Sequence, residues 1–127
     1  MPARPEAALE RAVLRRVGEL QRTDLPSLIV YRNEVGKGFT GNARALCCER
    51  CRGILDRHRI AWGLGVGSPD LVGAVDGRAF GLELKSPTGR VRPEQVAWAE
   101  AARRRGVPVA VVRSVEEAEE AIRAAKP

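Results

Sequence analysis

The dipeptide Asp76-Gly77, inside the stretch "SPDLVGAVDGRAFGLELKS" (Ser68–Ser86), constrains this chain more than any other feature. Asp-Gly between two strand-like runs is a strong hairpin signal, because a type I′ turn needs positive φ at both central residues. Counting outward from that turn, Val75 faces Arg78, Gly73 faces Phe80, Leu71 faces Leu82 and Asp70 faces Glu83. The strand period of two puts Lys85 on the face of Glu83, with Leu71, Val75, Phe80, Leu82 and Leu84 on the other. One face of the hairpin is therefore a packing surface. The other carries two carboxylates and an amine at one end.

Directly opposed like charges destabilise a sheet. A divalent cation reverses that sign, because hard ions such as Mg²⁺ are held by one or two carboxylates together with substrate phosphates. Most such pairs are solvated edge charges. Here Glu83 and Lys85 alternate with Leu82 and Leu84, the pattern of an inner strand, which favours a site.

"SPDLVG", "LELKSPTGRVRPEQ" and "VVRS" together resemble the virus-type replication-repair nuclease (VRR-NUC) family of the PD-(D/E)xK nuclease superfamily. Pro69-Asp70 matches the PD element, Glu83-Leu84-Lys85 matches ExK, and Gln95 matches a glutamine on the following helix. The resemblance runs from Gly65 to Ser114. It implies a restriction-endonuclease-like α/β core and metal-dependent hydrolysis of DNA.

The periodicity agrees with that class. A helix is predicted over Pro5–Gln21, a strand over Leu28–Arg32, a Gly- and Asn-rich loop over 33–44, and a weakly patterned helix over Ala45–His58. After the hairpin come a polar loop, a helix from Pro93 to Gly106, an apolar strand over Val107–Val112 and a closing helix over Val115–Ala125. The run "VPVAVV" lacks alternation, as expected of an inner strand paired parallel after a helical crossover. We expect one domain over residues 1–127: a central mixed sheet flanked by helices, with a cysteine-containing insertion near 43–60.

The net charge of +6 suits attraction to phosphate backbones, and 4% aromatic residues argue for backbone contact over a stacking platform. Without a membrane-length apolar run or a secretory h-region, a cytoplasmic protein is expected.

In the expected site, Asp70, Glu83 and the backbone carbonyl of Leu84 hold Mg²⁺ or Mn²⁺, which activates water and neutralises charge on the phosphate. Lys85 orients the attacking water or stabilises the transition state, and Gln95 hydrogen-bonds water or phosphate. Superfamily members often add an acid from the first helix; Glu6 and Glu10 share a helical face, the resemblance favours Glu6, and Glu34 is a third candidate. Asn33, Lys37, Arg90 and Arg92 are candidates for contact with nucleic acid. "GLGVG" (Gly63–Gly67) lacks the helix and GK[ST] of a nucleotide loop and is read as close backbone approach. Cys47, Cys48, Cys51 and His58 could complete a structural Zn²⁺ site or be free thiols; all of them crowd into one short segment. The function expected is a metal-dependent DNA endonuclease, structure-selective and acting on branched DNA in replication, repair or phage biology, which a homodimer could assist. The alternative is a non-catalytic nucleic-acid-binding module of the same fold.

Overall fold

The computed structural model describes residues 4–40 and 58–127. They fall in two compact units, one built from residues up to Asn33 and from Val66 onward, the other from Glu34–Gly65. The first unit contains α1 (Ala7–Arg22), β1 (Ile29–Arg32), β4 (Leu71–Val75), β5 (Arg78–Leu84), α2 (Pro93–Arg104), β6 (Val109–Val112) and α3 (Val115–Ala125). The second contains β2 (Gly36–Thr40) and β3 (His58–Trp62), paired antiparallel.

The Asp-Gly turn sets the register as the sequence predicts. Asp76 and Gly77 take φ of 48° and 79°, and pairing runs from Val75↔Arg78 to Leu71↔Leu82. Ser27 reinforces the corner, its hydroxyl accepting from the Asp76 N–H at 2.9 Å. The sheet order is β1-β4-β5-β6, antiparallel except for the parallel β5–β6 pair closed through α2. This is the mixed sheet flanked by helices that the sequence implies.

Its two faces differ. Phe80, Leu82 and Leu84 of β5, with Leu71 and Val75 of β4, form the core with Val13, Val17 and Leu20 of α1 and Ala118 and Ile122 of α3. A bidentate contact from Arg16 to Glu119, at 3.0 Å through each nitrogen, links α1 to α3 over that core. The opposite face carries Gly81 and Glu83 of β5, with α2 lying against β6. We call it the site face.

Two expectations change in the second unit. The stretch predicted as loop over 33–44 contains strand β2, because alternate residues there pair with β3 despite the glycines. His58, predicted as a helix end, begins β3, where cross-strand pairing overrides weak local preference. The rest of the predicted helix over Ala45–His58 lies outside the described residues, as do Cys47, Cys48 and Cys51. Most of the expected insertion near 43–60 likewise lies outside them.

Gly73 is forced by close approach: a Cβ there would lie 2.2 Å from the Ile29 carbonyl oxygen and 2.9 Å from Phe80 Cζ. Substituting alanine (Gly73→Ala) is expected to cost about 1–3 kcal/mol, as overpacking does. Urea denaturation measures it, and an unchanged midpoint would contradict this packing.

Candidate active site

Two glycines and a proline deliver Asp70 to Glu83. Gly67, at φ +89°, packs on the first turn of α2, where a Cβ would sit 2.3 Å from the Glu94 carbonyl oxygen. Pro69 is fully buried and lies over Gly81, whose added Cβ would meet Pro69 Cγ at 2.6 Å. Only a bare backbone at 81 lets the Ser68-Pro69 segment settle onto β5. Asn33 braces the same segment: its side-chain amide donates to Ser68 Oγ and to the Pro69 carbonyl, each at 2.8 Å. Its backbone N–H donates to the Asp70 carbonyl at 2.8 Å.

Asp70 therefore stands one position beyond the last paired residue of β4. There its Oδ2 accepts the Leu84 N–H at 2.8 Å, so the carboxylate continues the ladder where the backbone ends. The N–H and C=O of one strand residue point to the same side. The Leu84 carbonyl is thus directed to the edge occupied by Asp70.

Glu83 is only 5% exposed. Gln95 Nε2 donates to its Oε1 at 2.6 Å, and Lys85 Nζ lies 3.7 Å from the same oxygen. Gln95 Oε1 in turn accepts the Arg92 N–H at 2.9 Å, which ties the start of α2 to the carboxylate. Burial, and then the neighbouring Asp70 carboxylate, push the Glu83 pKa up from 4.5 to about 8, against the opposing pull of Lys85. Burial and a second carboxylate close by both disfavour the charged form of Glu83.

Carboxylate and carbonyl oxygens suit a hard cation such as Mg²⁺ or Mn²⁺ better than zinc. Among the described residues, no third acidic, His or Cys side chain joins the pair.

The other predicted residues divide. Glu6 sits at the N-cap of α1, half-buried, whereas Glu10 is buried on the core side. Its carboxylate receives Arg32 Nε at 2.7 Å and Arg4 Nη2 at 3.3 Å. Of the two glutamates it is Glu10 that enters the fold, by the i, i+3, i+7 spacing it shares with Val13 and Val17. Arg90 and Arg92 are exposed on the loop between β5 and α2, Arg92 pairing with Glu94 at 3.4 Å. Lys37, on β2, and Glu34, exposed, belong to the second unit, and the side chains of Lys37 and His58 lie outside the description.

Arg113 was not anticipated. It donates through Nη1 to the Ser86 and Gly89 carbonyls at 2.6 and 2.8 Å, holding the loop that follows Lys85. The signal was present in "VVRS", a lone arginine ending an apolar strand.

Strand-end carboxylates beside a lysine, on a mixed sheet with helices on both faces, define a nuclease-type α/β domain. Residues 6–116 match the VRR-NUC domain, and the chain belongs to that family. It is similar in fold to a solved structure described as a VRR_NUC domain, with a TM-score of 0.57 and 19% identity over 95% of this chain and 97% of the other. No curated protein matches it. No helix among the described residues is long and apolar enough to cross a membrane.

The raised Glu83 pKa has a measurable consequence. Between pH 4.5 and about 8 the folded state holds a proton that the unfolded state has released, so this group's contribution to stability falls as pH rises through that window. In EDTA the melting temperature is expected to drop from pH 5 to pH 8, less steeply in Glu83→Gln, with Mg²⁺ restoring most at the alkaline end. Parallel pH profiles for the two proteins would contradict the assignment.

Proposed function

We propose that this protein is a Mg²⁺- or Mn²⁺-dependent DNA endonuclease that hydrolyses phosphodiester bonds at the Asp70–Glu83 pair. The observation that carries the reading is the convergence of those carboxylates from neighbouring strands, one held by a backbone N–H and the other raised to about 8 by burial and its partner. A divalent cation supplies Lewis-acid activation of water and neutralises charge building on the phosphate.

The chain's residues do the rest. Asp70 and Glu83, with the Leu84 carbonyl, would hold the cation. Asp70 is fixed in orientation by the bond from Leu84, and Glu83 by Gln95. Lys85, with 12% of its side chain exposed, brings an ammonium into a largely dry site, where it donates to a phosphate oxygen or to the attacking water. Gln95 keeps Glu83 oriented toward the ion. Exposed Arg90 and Arg92 give backbone contacts independent of sequence. The reading extends to branched DNA met in replication, repair or phage biology: no separate base-reading element stands out among the described residues, which favours recognition of shape.

The test is cleavage of flap, four-way and plain duplex DNA with Mg²⁺, with Mn²⁺ and in EDTA. Metal-dependent nicking is expected, reduced about 10²- to 10³-fold in Lys85→Ala, the usual loss when one transition-state stabiliser is removed. The Asp70→Asn variant, which keeps an acceptor for Leu84, is expected to stay folded and inactive. Salt-sensitive binding without cutting would replace the enzyme by a binding module.

A further inference from the structure

Within the first unit, the site face continues past the carboxylates onto a surface that none of its described helices covers. Tyr31 of β1 pairs in register with Val72 of β4, and Val72 lies two residues beyond Asp70 on the same face. Ile29 follows, paired with Ala74. Within the first unit α2 packs on β6, while α1 and α3 occupy the core side, so no helix screens this half of the face. Tyr31 is 63% exposed and Ile29 46%. Tyr31 is also the single tyrosine of the chain. An aromatic ring on this sheet face, one diagonal step from Asp70, has a specific use in a nuclease.

We infer that Tyr31 is a stacking subsite for an unpaired base of the DNA strand held at Asp70 and Glu83, which gives the enzyme its preference for DNA carrying unpaired nucleotides. The inference rests on the nuclease reading of those carboxylates. In a continuous duplex each base hides its flat faces against its neighbours. Only an unstacked base offers a π-face to a side chain, and sheet-borne aromatics are a common way to receive one. The strip beneath Tyr31 is apolar through Val72 and Ala74, so a stacked base also shields aliphatic surface from water. A second copy of the chain is a poorer occupant, because a standard interface needs roughly 800 Å² from each partner. A strand of four residues offering two exposed apolar side chains does not approach that. The low aromatic content argues against a platform for long single strands, but one ring suffices for one base.

The experiment measures binding of the full chain in EDTA by fluorescence anisotropy, on a flap DNA and a matched duplex, so that it needs no cutting. The ratio of flap to duplex affinity is expected to fall roughly 5- to 150-fold in Tyr31→Ala, the loss of one base–aromatic stack. Tyr31→Phe, which keeps the ring, is expected to retain the ratio. With 2-aminopurine as the unpaired base, quenching on binding is expected for the unmodified chain and Tyr31→Phe but not Tyr31→Ala. A ratio that Tyr31→Ala leaves intact overturns the inference, as does a Tyr31→Phe loss equal to that of alanine. So does sedimentation showing that Tyr31→Ala converts a dimer to a monomer, which would assign the strip to self-association. Failure of the nuclease reading shows separately, as absence of metal-dependent cleavage by the unmodified chain.

Discussion

The hydrogen bond from the Leu84 N–H to the Asp70 carboxylate joins fold and site in one contact. Backbone pairing between β4 and β5 stops at Leu71↔Leu82, yet β5 runs on to Leu84. An inner strand that outlasts its neighbour leaves a buried N–H without a backbone partner, and such a group costs about 1–3 kcal/mol. Asp70 supplies the acceptor from its side chain. The residue that completes the ladder is thus also a metal-ligand candidate, and its geometry is set by strand register. This explains why the approach to it is so tightly packed, with Pro69 on Gly81 and Gly67 on Glu94. A shift of the segment would loosen the carboxylate and expose the strand end together.

Glu83 shows the opposite balance. On one side of β5, Leu82 and Leu84 are 1% exposed in the core, and on the other the same strand must bury an acid beside another acid. The apolar face stabilises the strand well enough to hold this strained pair in place. One lysine at 3.7 Å does not cancel two carboxylates, as the raised Glu83 pKa records. The surrounding core offsets the local cost of holding that acid.

The hairpin, its register and the Asp70–Glu83–Lys85 set were legible because each rests on a short-range rule: a turn needing positive φ, a period of two, an apolar strand that carries charges on one side only. The helices α1, α2 and α3 followed from periodicity and, for α2, from Pro93 at its start. The strand pair β2–β3 was not legible. Gly36 and Gly38 read as loop, and what makes them strand is a partner some twenty residues away, which no local pattern announces. That Glu10 and not Glu6 is the buried one was not legible for a related reason, since a shared helical face says nothing about where the helix begins to be covered. Gly81 carried no signal of its own. Its role depends on Pro69 lying across it, a contact between segments that the hairpin count placed near each other without stacking them.

Gln95 ties these levels together. Its amide oxygen accepts from Arg92 at the entry to α2 and its amide nitrogen donates to Glu83, so one side chain links a helix start to a catalytic candidate. Arg113 fastens the intervening loop at Ser86 and Gly89, and the Lys85 N–H donates to the Val112 carbonyl at 3.0 Å. From Lys85 to Gln95 the chain is therefore pinned at its beginning, its turn and its end. Exposed Arg90 and Arg92 project from this pinned loop, so their backbone positions are set relative to Glu83 by the same hydrogen bonds. A flexible loop would have to pay for that ordering on binding. The same few hydrogen bonds that close the β5–α2 connection thus also fix where the two arginines stand relative to the carboxylates.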